Sequence, residues 1–216
     1  MGLTIEAVLQ RARPVLPVLV LDDVALAVDL AAALQAGGVE VLEVTLRTER
    51  ALDALAAIGK AFPSLLVGAG TLIHPEQFAE ARDAGAQFVV SPGLTARLAR
   101  AADDAGLPYL PAVSTPSEVL LALEYGYRSL KLFPANGNAS IKLLNTLKGP
   151  FTGIRFCPTG GITAENLLNF LRLPNVTCVG GTWIAPSNLI RARAWDQITQ
   201  MALEARALAA SLEHRT

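Results

Sequence analysis

The chain has 216 residues, 52% of them apolar and 17% charged, with a formal net charge of −1. That length buries a large core, as one α/β barrel or as two small domains, and the scarcity of charge points to a large interior or a subunit interface. The near-neutral balance gives no electrostatic reason to expect a nucleic-acid partner or an anionic membrane surface.

In chain order, residues 3–12 carry Ile5, Val8 and Leu9 at helical spacing and predict a short lead-in helix. A strand over 15–21 follows, with Asp22 placed to cap a helix that reaches Gln35 and stops at Gly37-Gly38. Arg11, Arg13 and the apolar run from Pro14 imitate a secretory leader. However, Pro14 and Pro17 interrupt the run, and Asp22-Asp23 ends it without a small-residue cleavage site. Met1-Gly2 fails as a myristoylation signal because Glu6 stands where Ser or Thr is needed.

The strand–helix phrase then repeats. Strands are expected over 39–46, 65–71, 88–91, 109–113, 130–133, 154–158 and 176–179. Helices are expected over 49–61, 75–84, 94–105, 116–125, about 140–147, 164–171 and most of 189–212. Gly85, Gly106 and Gly126 close three of them. Eight such pairs, spaced by roughly 21 to 26 residues, predict parallel strands joined by helical crossovers, that is, an α/β (β/α)8 TIM barrel. A doubly wound sheet is the rival, but its Gly-x-Gly-x-x-Gly fingerprint is absent, since Ile73 follows Gly68-Ala69-Gly70 where the third glycine belongs. No linker or composition shift divides the chain, so residues 1–216 are expected to form a single domain.

Cys157 and Cys178 lie in apolar strand-like runs without a Cys-x-x-Cys, and read as buried thiols of a reducing compartment. His74 and His214, the first in a loop and the second in a polar tail, are too few and too scattered for a zinc site. Residues 173–190 lack charge but are broken by Asn175, Gly180-Gly181, Pro186 and Asn188, so they do not span a bilayer. Asn138-Ala139-Ser140 fits a glycosylation sequon, which means little without export. A cytoplasmic protein without metal is expected.

The polar residues gather where a barrel keeps its chemistry, at the C-terminal ends of the strands. Along Ser129-Leu130-Lys131-Leu132-Phe133, alternation sets Leu130 and Leu132 on one face and aims Lys131 at the other, into the interior. Burial penalises an amine's charged form, which is how a lysine becomes a nucleophile toward a carbonyl. The bland alternative is a lysine at a strand end that snorkels to water.

Up one face of the second strand run Val39, Val41, Glu43, Thr45 and Arg47, giving two apolar residues, then a carboxylate, a hydroxyl and a guanidinium. Glu43 and Arg47 read either as chemistry or as an ion pair closing a barrel layer. The third strand ends in Gly68-Ala69-Gly70-Thr71, the fourth in Ser91-Pro92-Gly93 and the fifth in Ser114-Thr115. After the seventh and eighth come Thr159-Gly160-Gly161 and Gly180-Gly181-Thr182, where barrels often bind phosphate on backbone N–H groups beside a helix N-terminus. A ligand with a 2-keto acid at one end and a phosphate at the other suits Lys131, Glu43, Arg47 and these glycine loops together.

Several stretches then resemble one family. They are residues 38–48, Val67-Gly68-Ala69-Gly70-Thr71, Gly85-Ala86-Gln87-Phe88, Ser91-Pro92-Gly93-Leu94, Lys131-Leu132-Phe133-Pro134-Ala135, Arg155 to Ile162 and Gly180-Gly181-Thr182-Trp183. In order and spacing, from about Pro14 to Pro186, they resemble the 2-keto-3-deoxy-6-phosphogluconate (KDPG) aldolases, also called 4-hydroxy-2-oxoglutarate (KHG) aldolases. The resemblance implies a TIM barrel and a metal-free, cofactor-free class I aldolase that reversibly cleaves KDPG to pyruvate and glyceraldehyde 3-phosphate.

It implies Lys131 as the Schiff-base lysine, Glu43 as general acid/base, and Arg47 as the ligand of the pyruvate carboxylate. Thr71, Pro92 and Phe133 would line that end, and Thr159, Gly160, Gly161, Gly181 and Thr182 the distal phosphate. A homotrimer is implied as well. Family members often carry Gly-Gly-Ser-Trp where this chain has Gly-Gly-Thr-Trp, keeping the hydroxyl, and residues 135–140 also differ. The rivals are a pyruvate aldolase preferring KHG or the 6-phosphogalactonate epimer, and a non-catalytic phosphate-binding barrel. An isomerase built on a carboxylate and a neutral histidine is set aside, because no histidine stands at a likely catalytic strand end.

Overall fold

The computed structural model describes residues 2–213, so His214 of the expected tail and Met1 lie outside the described residues. The lead-in helix α1 (Ile5–Arg11) precedes β1 (Val15–Leu19), α2 (Val24–Ala36), β2 (Val41–Thr45), α3 (Ala51–Ala61), β3 (Leu66–Gly70), α4 (Glu76–Asp83), β4 (Val89–Val90) and α5 (Ala96–Ala105). Next come β5 (Tyr109–Leu110), β6 (Ala112–Val113), α6 (Pro116–Glu124), β7 (Ser129–Leu132), α7 (Gly137–Leu147), β8 (Arg155–Pro158) and α8 (Leu167–Leu171). The chain continues through β9 (Val179–Gly181), α9 (Ser187–Arg191) and α10 (Trp195–Glu213).

Local chemistry sets these boundaries. Asp23, rather than the expected Asp22, caps α2 by accepting from the Ala25 N–H. At α6, Thr115 and Glu118 form a reciprocal capping box with Pro116 in the first turn. Gly106 ends α5 in the left-handed conformation, φ 67°. The helix expected over 164–171 begins only at Leu167. The one expected over 189–212 is divided into α9 and α10 by Arg193, whose φ of 52° no helix continues through.

All strand pairings are parallel, in the orders β5-β4-β3-β2-β1-β9 and β6-β7-β8. The strand expected over 109–113 appears as two pieces around Pro111, which has no N–H to donate to a ladder. Its carbonyl still accepts from the Lys131 N–H at 2.9 Å, so one segment serves β4 on one side and β7 on the other. Across the other seam, isolated parallel bridges join Phe156 to Val176 and Thr159 to Gly180. The result is an α/β fold with a curled parallel sheet.

Alternation along the strands sorts the apolar residues into two cores. Leu42, Val44, Leu130 and Leu132 point outward into the cluster shared with the helices. Val41, Leu66, Phe88, Val90 and Cys157 point inward, where Ile5, Val8 and Leu9 of α1 meet them. Since α1 runs straight into the start of β1, this plug lies at the strands' N-terminal ends and leaves the opposite mouth open.

At that mouth the Ser91-Pro92-Gly93 turn is fixed from outside. Ser91 Oγ donates to the Gly93 carbonyl at 2.5 Å and hydrogen-bonds the Tyr109 hydroxyl at 2.5 Å. The Tyr109 ring meets Phe78 and Tyr127 edge-on, with centroids 5.4 and 5.3 Å away. Burial drives the Tyr109 phenol up to about 12, against a smaller pull from Ser91. The folded state therefore holds a proton that the unfolded chain releases near pH 10. This stabilisation is intact below pH 10 and is lost as pH rises toward 12, by about 2 kcal/mol. Urea denaturation between pH 9 and 12 is expected to show a shallower alkaline decline in Tyr109→Phe than in the parent, and parallel curves would contradict the assignment.

Candidate active site

Lys131 on β7 and Glu43 on β2 come from the two separate strand groups and meet inside the curled sheet, with Nζ and Oε1 3.4 Å apart. Lys131 is 6% exposed and Glu43 1%. An amine and a carboxylate seldom share such burial unless each is the other's partner. Alternation explains the lysine, since its neighbours Leu130 and Leu132 fill the helix-side core. Space for the carboxylate comes from Gly70 on β3, where a Cβ would stand 2.1 Å from Glu43 Oε1. The Phe133 ring lies with its centroid 5.6 Å from Nζ, within cation–π range.

The two readings of Glu43 and Arg47 are thereby separated, because Glu43 pairs with Lys131. Arg47, just past β2, is exposed and has no side-chain hydrogen bond or salt bridge among the described residues. Its guanidinium is available to a ligand carboxylate, for which its planar fork is suited.

A cleft of about 290 Å³ opens above the pair, lined by Val18, Arg47, Lys131 and Phe133 at one end. Its other lining residues are Thr159, Gly160, Gly161, Ile162, Gly180, Gly181 and Thr182. Gly160 and Gly161 take φ of 94° and 68°, and a Cβ on Gly161 would come within 2.8 Å of the Ala135 carbonyl, so the turn demands glycine. Among the described residues, the N–H groups of Gly160, Gly161 and Ile162 donate to no protein acceptor. The helices after these loops, α8 and α9, have five residues each, too short to give the expected help from a helix N-terminus. Hollows of about 390 and 560 Å³ elsewhere are wider, but neither is lined by a buried ionisable group.

Of the residues singled out from sequence, Lys131, Arg47, Phe133, Thr159, Gly160, Gly161, Gly181 and Thr182 share this cleft, and Glu43 adjoins it through Lys131. Thr71 and Pro92 are half-buried at the mouth and do not line it. Thr71 has φ 64°, a strained backbone for a β-branched residue that nothing in its sequence announces. Val18, Ile162 and Gly180 line the cleft without having been singled out. Gly180 and Ile162 belong to the glycine runs already noted, whereas Val18 is one apolar residue in an apolar strand and carries no signal.

Among the described residues, no helix is long and apolar enough to cross a membrane, and no group of three or more His, Cys, Asp or Glu is placed to hold a metal ion. Cys157 and Cys178 are buried free thiols, their sulfurs 3.6 Å apart.

Comparison with known proteins places this geometry. Residues 5–201 match the family model described as "Aldolase: KDPG and KHG aldolase". The KHG/KDPG aldolase of Escherichia coli K12 is 50% identical over 192 residues, covering 89% of this chain and 90% of that protein. The 2-dehydro-3-deoxy-phosphogluconate aldolase of Pseudomonas aeruginosa is 44% identical, covering 98% of this chain and 94% of that one. The crystal structure of KDPG aldolase from Legionella pneumophila, with pyruvate captured at low pH as a covalent carbinolamine intermediate, superposes with a TM-score of 0.88. It is 44% identical, and the match covers 92% of this chain and 96% of that one.

Gly70→Ala tests the geometry directly. The variant is expected to fold with a melting temperature a few degrees lower, and to push the carboxylate beyond the roughly 4 Å of an ion pair with Lys131. A crystal structure of the variant with the pair unmoved would contradict the close approach.

Proposed function

This chain belongs to the KDPG and KHG aldolase family, and from there we propose that it is a class I aldolase cleaving KDPG to pyruvate and glyceraldehyde 3-phosphate, reversibly, through an imine on Lys131. The observation that carries this reading is the buried Lys131–Glu43 pair opening onto a cleft that also holds Arg47 and the glycine loops. The capture of pyruvate as a carbinolamine in the Legionella relative supports the same chemistry.

In the proposed mechanism, Arg47 grips the C1 carboxylate, which sets the C2 ketone over Lys131. Lys131 gives a proton to Glu43 and attacks C2 as the free amine. The carbinolamine then takes a proton back onto its hydroxyl and loses water, leaving a cationic imine. Glu43 removes the C4 hydroxyl proton, the C3–C4 bond breaks, and its electron pair enters the imine to form an enamine while glyceraldehyde 3-phosphate departs. Glu43 returns the proton to C3, and water hydrolyses the resulting imine to pyruvate and free Lys131. The chain's own amine is the electron sink, so no step calls for a metal or cofactor. Phe133 covers the amine, Thr71 and Pro92 stand at the mouth, and Thr159, Gly160, Gly161, Gly181 and Thr182 receive the phosphate.

KHG is a second reading, favoured by the double name of the Escherichia coli relative and by a distal cradle of neutral donors that also suits a carboxylate. Closure of the sheet into a full (β/α)8 barrel is part of the proposal. It is supported by the strand shared around Pro111 and by the bridges from the β8 segment toward β9. A homotrimer is supported by the apolar excess and by exposed Ile73, Leu120 and Tyr125. A cytoplasmic setting is supported by the two free thiols held close together.

Borohydride added with pyruvate is expected to trap a covalent adduct on Lys131, located by peptide mass spectrometry, and Lys131→Met should abolish it. Glu43→Gln should lower kcat by about 10²–10⁴-fold. An adduct on Lys142 or Lys148 would refute the assignment. Pyruvate release measured across KDPG, its galactonate epimer and KHG decides between the substrates.

A further inference from the structure

The distal loop raises a question that the reaction itself leaves open, namely what holds two consecutive left-handed glycines in place before any ligand arrives. At its root the loop is tied by Thr159, whose N–H donates to the Leu132 carbonyl and whose carbonyl accepts from the Ala135 N–H, both at 2.9 Å. Farther on, Ile162 anchors it by burying its side chain. From Gly160 to Ile162, the one hydrogen bond among the described residues comes from Asn166, whose Nδ2 donates to the Gly161 carbonyl at 2.9 Å. The same side chain's Oδ1 accepts from the Thr163 N–H at 2.9 Å. One half-buried amide thus staples both flanks of Ile162.

We propose that Asn166 is a positioning residue that sets the enzyme's preference for phosphorylated over unphosphorylated substrates. The proposal rests on the reading above that the loop amides receive the phosphate. Glycine loses more backbone freedom on ordering than any other residue, so an unstapled Gly160-Gly161 would have to be ordered by the ligand at the expense of affinity. Asn166 does this ordering in advance, with a donor for the carbonyl and an acceptor for the amide. Asparagine supplies both, while aspartate keeps only the acceptor and sets a negative oxygen against the Gly161 carbonyl. The side chain lies outside the pyruvate end, so imine formation does not depend on it.

The test compares kcat/KM for KDPG with kcat/KM for its dephosphorylated form, alongside the rate of borohydride trapping with pyruvate. Asn166→Ala and Asn166→Asp, each checked for folding by circular dichroism, are expected to lose about tenfold on KDPG, mainly through KM. Activity on the dephosphorylated form and the trapping rate should change less than twofold. Equal losses on both substrates would mean a merely structural role and would overturn the proposal, as would no loss on either. Thr182→Val, which removes a hydroxyl from the cradle itself, separates the two levels of the argument. If Thr182→Val shifts the substrate ratio and neither Asn166 variant does, the cradle stands and the positioning role falls. If none of the three shifts it, the phosphate does not sit at these loops and both readings fail.

Discussion

Removing an amine and a carboxylate from water is costly, and the arrangement of this protein follows from satisfying that demand. Lys131 and Glu43 sit inside the sheet with little solvent, and each is the countercharge the other needs. Their meeting also spans the molecule, since β2 belongs to the six-stranded group and β7 to the three-stranded one. A buried pair of this kind adds little net stability compared with apolar packing, so the surrounding cores must hold the two strands in register. In the proposed mechanism, what the pair provides instead is a proton donor and acceptor already in contact where a carbonyl can enter.

The two apolar cores divide that work. The outer one fixes the strands against their helices, while the inner one, plugged by α1, fills the N-terminal end of the sheet and reaches Cys157, the ladder partner of Lys131. Glu43, Thr45 and Lys131 border it, followed by glycines and the Arg47 guanidinium at the rim. Stability and chemistry are thus stacked along the strand direction, and the glycines mark where side-chain volume would have cost reactive space. Gly70 is the clearest instance, because the carboxylate occupies the volume its missing Cβ vacates.

Much of this was legible from the chain. Period-two alternation put Lys131 opposite Leu130 and Leu132, and parallel ladders keep that alternation intact, so its inward aim followed. The glycine runs after two expected strands announced the distal loop, Gly160-Gly161 because few other residues tolerate that backbone and Gly180-Gly181 because Thr159 and Trp183 press against them. Less legible were features decided by tertiary context. Pro111, lacking an N–H, interrupts a strand whose two pieces turn out to serve different ladders, and the left-handed Thr71 contradicts the preference of its own type. Asp22 and Asp23 are equivalent cap candidates until the chain's exit from β1 chooses between them. Asn166 reads as an ordinary loop asparagine until its two partners are seen on opposite sides of Ile162.

Apart from Arg47 and Lys131, every residue lining the cleft is uncharged. With both of those engaged by the keto acid, as in the proposed mechanism, a phosphate at the far end would be held by peptide dipoles and hydroxyls alone. Such a grip is short-ranged and only weakly sensitive to bulk electrolyte, and it does not confine an anion in a deep Coulombic well. An anion bound this way is held by the fit of the loop rather than by net charge, so its affinity depends on how well the amides are set before it arrives.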